Sequence, residues 1–184
     1  MLSFSSRGTA VQKLADAGWA HPEFEAPYGP LVPTLYALVA QRHMHEYGTT
    51  LEQMAEVAVT LRGHAALNPN AHKKDPLSIA DVMQSRTITS PLRMLDCALV
   101  SDGAAAFIVT TPERARDLRQ PAAKLLGHGY GHSHTYIGDY RNITTTGAVQ
   151  SGKDAFGMAG LAPSDIDVAE LYDCFTITVI VVLE

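Results

Sequence analysis

The chain has 184 residues, 46% of them hydrophobic and 18% charged, a balance that suits one ordinary globular domain and excludes intrinsic disorder. A formal net charge of −5 with scattered Lys and Arg leaves no basic footprint for nucleic acid. The longest uncharged apolar stretch, at 175–183, is well short of the roughly 20 residues that span a bilayer. Met1-Leu2-Ser3-Phe4 has neither the basic nor the sustained apolar region of a secretory signal, so the expected compartment is the cytoplasm. Cys97 and Cys174 are too few for a disulfide framework and read as reduced thiols.

In chain order, Gly8, Gly18 and Gly29 alternate with Pro22, Pro27, Pro30 and Pro33, which permits only a short opening strand. From Thr34, the recurrence of Leu35, Leu38, Val39 and Met44 predicts a helix that stops at Gly48. A second helix follows, capped by Thr49 or Thr50 and boxed by Glu52 or Gln53. Its stripe is Met54, Val57, Ala58 and Leu61, and it runs to about Ala66. Asn68-Pro69-Asn70 breaks the chain before Ser78 and Asp81 cap a short third helix carrying Val82 and Met83. Together the three helices read as one inserted unit.

The texture then changes. Residues 104–110 have the composition of a buried strand, and Thr111-Pro112-Glu113 gives N-cap, first-turn proline and first-turn acid of a helix. A second apolar stretch and a Gly/His-rich turn occupy 121–134, a helix is expected near 148–159 with Gly160 as its stop, and 168–172 is a short strand candidate. The last segment, 175–184, is open between strand, from its Ile, Val and Thr content, and helix, from its place after a turn-like cluster. It ends with no cap or polar tail, as an element cut short would.

Four blocks stand in order: 43–50 (His-Met-His-Glu-Tyr-Gly-Thr-Thr), 85–97 (Ser-Arg-Thr-Ile-Thr-Ser-Pro-Leu-Arg-Met-Leu-Asp-Cys), 100–106 (Val-Ser-Asp-Gly-Ala-Ala-Ala) and 166–176 (Ile-Asp-Val-Ala-Glu-Leu-Tyr-Asp-Cys-Phe-Thr). In order and spacing, across about 150 residues, they resemble the thiolase superfamily, and within it the sterol-carrier-protein-type branch. The resemblance implies an α/β class, a thiolase-like layered fold of two similar halves, here incomplete, with a helical loop domain inserted in the first. Residues 1–33 then end the N-terminal half, 34–95 form the loop domain, 96–120 give the closing strand and helix of that half, and 121–184 start the C-terminal half. It also implies that the nucleophilic Cys lies upstream of Met1, and the catalytic His and a second Cys beyond Glu184.

The implied chemistry is acyl transfer between coenzyme A and an enzyme thiolate, with the CoA thioester as substrate and no further cofactor. The enolate formed on the way needs donors aimed at the thioester oxygen. Many thiolases place an Asn-Glu-Ala-Phe motif there, and this chain has Tyr172-Asp173-Cys174-Phe175. Tyr172 stands for that Asn, or for the His of animal sterol-carrier thiolases. Its phenol suits an oxyanion donor or an acid/base catalyst, and it also resembles the tyrosines of thiolase-like aldolases that cleave sterol side-chain thioesters. The plainer alternative is a tyrosine packed at a strand end. Asp173 is the second candidate of the cluster, as base or as the holder of a turn or helix start. Tyr47 and Gly48 fall where many thiolases line the pantetheine channel, although Tyr47 also suits a core aromatic. Ala98 replaces a Ser that meets the pantetheine in many of them.

Cys174 occupies the Ala position of the motif and reads as a small buried hydrophobe, as does Cys97. His128, His132 and His134 lack a Cys or carboxylate to complete a ligand set, so no metal site is expected. His43 and His45, two apart, face different sides of a helix. By resemblance the partners are an acyl-CoA substrate, further copies of the chain in a homo-oligomer and a small zinc-ribbon/OB-fold protein. The competing functions are a retro-aldolase of the same fold and a non-catalytic acyl-CoA-binding scaffold.

Overall fold

The computed structural model describes residues 13, 16–18, 20–29, 31–134 and 136–184. Within residues 1–33, where the opening strand is expected, 1–12 lie outside the described residues, and 20–29 form turns and a 3-10 helix, Ala26–Tyr28. The α-helices are α1 (Val32–Tyr47), α2 (Leu51–Ala66), α3 (Ile79–Gln84), α4 (Pro112–Ala115), α5 (Ala148–Ala159) and α6 (Thr176–Leu183). The strands β1 (Thr87–Thr89) and β2 (Leu92–Arg93) make one antiparallel hairpin, with Thr87 opposite Arg93 and Thr89 opposite Leu92. Two compact units are present: Met1–Ala98 with His132–Thr146 and Glu170–Glu184, and Leu99–Gly131 with Gly147–Ala169.

In the first unit, α1 ends at Gly48, whose φ of 73° and N–H bond to the Met44 carbonyl close the helix in the left-handed conformation glycine favours. Its buried positions are Ala37, Val39, Ala40 and His43. Leu38, expected in the stripe, faces out, because the small Ala37 and Ala40 are what let a neighbouring helix approach. A reciprocal box caps α2: Gln53 N–H donates to Thr50 Oγ1 at 3.2 Å and Thr50 N–H to Gln53 Oε1 at 2.8 Å. The same device, from Ser78 and Asp81, starts α3.

The ambiguous terminal segment is the helix α6. Thr176, Ile177, Val179 and Val181 are buried, and α6 packs on both α1 and α2. A helix apolar all round belongs in a core, and burial of this extent overrides the modest helix-propensity cost of its Val, Ile and Thr. Phe175 at its start stacks on Tyr36 near the start of α1, with ring centroids 4.5 Å apart. At its far end Glu184 Oε2 lies 2.9 Å from His43 Nε2. The two helices therefore run in the same direction.

In the second unit, α4 starts as expected on Thr111, whose Oγ1 accepts from Arg114 N–H, and α5 ends at Gly160 with φ 66°. The expected strand at 104–110 is absent. Phe107, Ile108 and Val109 are more than four-fifths exposed, and among the described residues of this unit no strand offers a ladder for them. A strand earns its hydrogen bonds only from neighbours. The candidate at 168–172 is likewise irregular. The layered α/β sheet expected for the fold is thus reduced, among the described residues, to a mainly helical chain with a two-stranded hairpin.

The Gly-rich stretch 127–131 lies backbone to backbone on α5. A Cβ added at Gly127, Gly129 or Gly131 would overlap the carbonyl oxygens of Ala155, Ser151 and Gly147 respectively. Every second residue of an extended segment advances about 6.6 Å, close to the roughly 6 Å between every fourth residue of a helix. The two repeats match.

Two acids in the first unit resist ionisation. Burial, followed by the charge of Asp96, pushes the Cys97 thiol up to about 11, and burial also raises the Tyr36 phenol, with Cys174 and Tyr172 adding to the effect. A folded state that holds protons more tightly than the unfolded chain is favoured in full below the unfolded pKa, near 8.5 for a thiol, and loses that advantage as pH rises. Thermal unfolding followed by circular dichroism should therefore show Tm falling between about pH 9 and 11, and Cys97→Ala should flatten this part of the profile. Gly129→Ala should destabilise the second unit by about 3 kcal/mol or more through the backbone overlap. Gly152→Ala, within α5 with nothing within 4 Å of the new Cβ, should stabilise by about 0.5–1 kcal/mol in denaturant titration.

Candidate active site

The stretch 169–174 has no regular structure, and Tyr172 within it is 76% exposed. Its position is fixed by the residues after it. Cys97 and Phe175 form an antiparallel bridge, and Ala98 N–H donates to the Cys174 carbonyl at 3.0 Å. One residue on, the Thr176 hydroxyl donates to Asp96 Oδ1 at 2.9 Å, while Asp96 Oδ2 accepts from Arg93 N–H at 2.8 Å. Asp96 is 4% exposed. The polypeptide thus arrives at α6 pinned to the 93–98 segment, with the Tyr172 phenol turned to solvent.

Asp173 is exposed beside Tyr172, and Cys174 is half-buried. The Cys174 thiol lies 3.3 Å from Thr178 Oγ1, one turn into α6, and also meets the Tyr36 hydroxyl. Cys97 gives its thiol proton to the Arg93 carbonyl at 3.3 Å, and its raised pKa leaves it a poor nucleophile near neutral pH. Both cysteines pack against the core cluster of the unit.

Tyr47 and Gly48 stand at the other end of α1. Tyr36, beside Cys174, and Tyr47 are eleven residues apart on that helix, which is about 16 Å along its axis. Among the described residues no hydrogen bond or ring contact joins Tyr172 or Asp173 to Tyr47 or Gly48. Tyr47 is 59% exposed and lies on the His43 ring, with centroids 4.7 Å apart. Next to it, Glu46 pairs with Arg42 and accepts from Thr144 Oγ1 at 3.3 Å, and the Arg42 hydrogen bond is the main reason its carboxyl sits below the usual range.

Three further features were not legible as site elements. His43, 1% exposed, is bonded at both nitrogens, to Thr49 Oγ1 at 2.7 Å and to Glu184 Oε2 at 2.9 Å. A carboxylate only accepts, so Nε2 donates to Glu184, and in the neutral ring Nδ1 accepts the Thr49 proton. His45 points outward. Tyr36 reaches the Tyr172–Cys174 segment from α1, and its place three residues before Val39 of the stripe was the available signal. Asp96 is the third, and its signal was an acid set alone between apolar neighbours, Leu95 and Cys97. In the His-rich loop, His134 bonds Ser133 at 2.8 Å and stacks on Tyr140. Among the described residues no group of three His, Cys, Asp or Glu is placed to hold a metal, and no helix is long and apolar enough to cross a membrane.

Comparison with known proteins places this geometry. Residues 129–184 match the family model described as Thiolase C-terminal domain-like. The chain is 40% identical over 163 residues to an acetyl-CoA acetyltransferase of Methanothermobacter thermautotrophicus, covering 88% of this chain and 43% of that protein. It is 41% identical over 165 residues to a steroid side-chain-cleaving aldolase of Thermomonospora curvata, covering 86% of this chain and 42% of the relative. Among solved structures, the Ltp2-ChsH2(DUF35) aldolase superposes with a TM-score of 0.83 at 37% identity, over 93% of this chain and 45% of the other. The chain spans less than half the length of these relatives. The helices and hairpin described above are accordingly those of a thiolase-like fold, and the chain belongs to the thiolase superfamily, in its sterol-carrier-protein-type branch.

Proposed function

We propose that the protein is a thiolase-like acyl-CoA acyltransferase, of the acetyl-CoA acetyltransferase or 3-ketoacyl-CoA thiolase type, in which Tyr172 supplies a proton donor to the thioester. The observation that carries this reading is the exposed phenol of Tyr172, held at the entry to α6 in the place of the thiolase Asn. In thiolysis the Cα–Cβ bond of a 3-ketoacyl thioester breaks, the acyl half passes to a thiolate, and the remaining enolate takes up a proton and leaves as acyl-CoA. A phenol donor aimed at the enolate oxygen stabilises the charge as it develops. Asp173, next to it and exposed, is the candidate for the accompanying proton transfer. Tyr47 and Gly48 are proposed to line the approach of the pantetheine arm.

On this reading residues 34–95 are the loop domain, flanked by the end of the first half at 1–33, its closing elements at 96–120 and the start of the second half at 121–184. A homo-oligomer and a zinc-ribbon/OB-fold partner belong to the same proposal, the latter supported by the likeness to a structure named with a ChsH2(DUF35) component.

The second reading, a retro-aldolase on sterol side-chain acyl-CoA, is favoured by Tyr172 itself and by the likeness to a steroid side-chain-cleaving aldolase. The two differ in their need for CoA. The full-length protein should convert 3-ketoacyl-CoA to two thioesters only when CoA is added, whereas release of a ketone or aldehyde without CoA would select the aldolase. Turnover in neither assay, across chain lengths, would leave the non-catalytic scaffold. Tyr172→Phe should lower kcat by about 100-fold with KM within about threefold, since only the transition state needs the lost donor.

A further inference from the structure

We propose that Asp96 and Thr176 are a pair of positioning residues that set where Tyr172 is held. Tyr172 lies in an irregular stretch and is mostly exposed, so nothing in its own backbone pairing fixes it. The nearest fixed points are the Cys97–Phe175 bridge and, just beyond it, the buried bond from the Thr176 hydroxyl to Asp96 Oδ1. Asp96 and Thr176 are 4% and 5% exposed, so the bond is made without competing water.

The chemistry of the pair explains why an acid stands there. Two donors converge on Asp96, the Arg93 N–H from three residues before it and the Thr176 O–H from eighty residues after it, and a carboxylate is acceptor at both of its oxygens. Burying a carboxylate is costly, and apolar residues of similar volume often stabilise a core as well or better. What an apolar pair lacks is direction. The bidentate acceptor ties the 3-10 turn Met94–Asp96 to the first residue of α6 and so sets the height at which the 172–175 segment enters that helix. Tyr36 then closes the other side, stacking on Phe175 and meeting the Cys174 thiol.

The role of the pair for catalysis rests on Tyr172 being the reacting donor of the proposed acyl-CoA chemistry; the attachment itself does not. Two readouts on the full-length protein separate them. In the first, Thr176→Val, which keeps the volume and removes the donor, should lower kcat at least about tenfold with KM within about threefold, and Thr176→Ser should restore it. In the second, which needs no activity, the rate of Cys174 alkylation by iodoacetamide is measured in a Cys97→Ser background. Thr176→Val should raise that rate at least about fivefold while the circular dichroism spectrum is unchanged, and Thr176→Ser should not. If Thr176→Val does not fold, the double variant Asp96→Asn/Thr176→Val removes the unpaired buried charge and carries the same expectations. An unchanged alkylation rate overturns the attachment. A raised rate with unchanged kcat overturns the catalytic role alone, and a raised rate in a protein that turns over neither substrate upholds the attachment while the proposed function fails.

Discussion

Burial of α6 is the constraint on which the first unit depends. Eight residues, seven of them Ile, Val or Thr before the closing leucine is reached, adopt a helix that their intrinsic preferences disfavour, because so apolar a surface is satisfied only by enclosure. The two long helices α1 and α2 supply that enclosure, and Ala37 and Ala40 on α1 keep the approach close. Such a helix cannot slide or rotate without exposing a branched side chain. Whatever immediately precedes it in the chain is therefore held at a defined place, and that is where Tyr172 and Asp173 stand.

Hydrogen bonding refines what burial sets. At each end of α6 a buried polar group is satisfied: the Thr176 hydroxyl by Asp96 at the start, and the His43 ring by the more exposed Glu184 carboxylate at the finish. These contacts give an otherwise uniform apolar rod a top and a bottom. The Tyr36–Phe175 stack adds an aromatic contact on the same side as the Tyr172 segment. The resulting arrangement is asymmetric, with Tyr36, Cys174 and Cys97 packed against the core behind a solvent-facing phenol.

Local signals in the sequence were readable where the physics is local. Caps at Thr50, Ser78 and Thr111, and stops at Gly48 and Gly160, each depend on residues within one helical turn, and each is found in place. The reading weakened where partners are distant. Residues 104–110 have a strand composition, but composition cannot supply a neighbouring strand, and their apolar side chains are exposed. The helical state of 176–183 follows from contacts with segments more than a hundred residues earlier, so the branched residues alone pointed both ways. The family blocks made Tyr172 and Asp173 candidates by order and spacing, while the contacts of Asp96, Tyr36 and His43 follow no local pattern. Leu38 is the instructive miss: the larger apolar residue faces out so that alanines can face in.

The glycine contacts along α5 carry a consequence for alignment. Because Gly127, Gly129 and Gly131 meet carbonyls spaced one helical turn apart, the extended segment and the helix engage like two scales with nearly equal divisions. Moving the segment by one residue would bring His128 and Tyr130 against the helix backbone, where no side chain fits. Moving it by two would replace one glycine of the three with a residue that carries a Cβ. The segment thus has a single admissible setting, specified by the absence of atoms and not by any attractive group, and a chain that finds it has no neighbouring wrong alignment in which to rest.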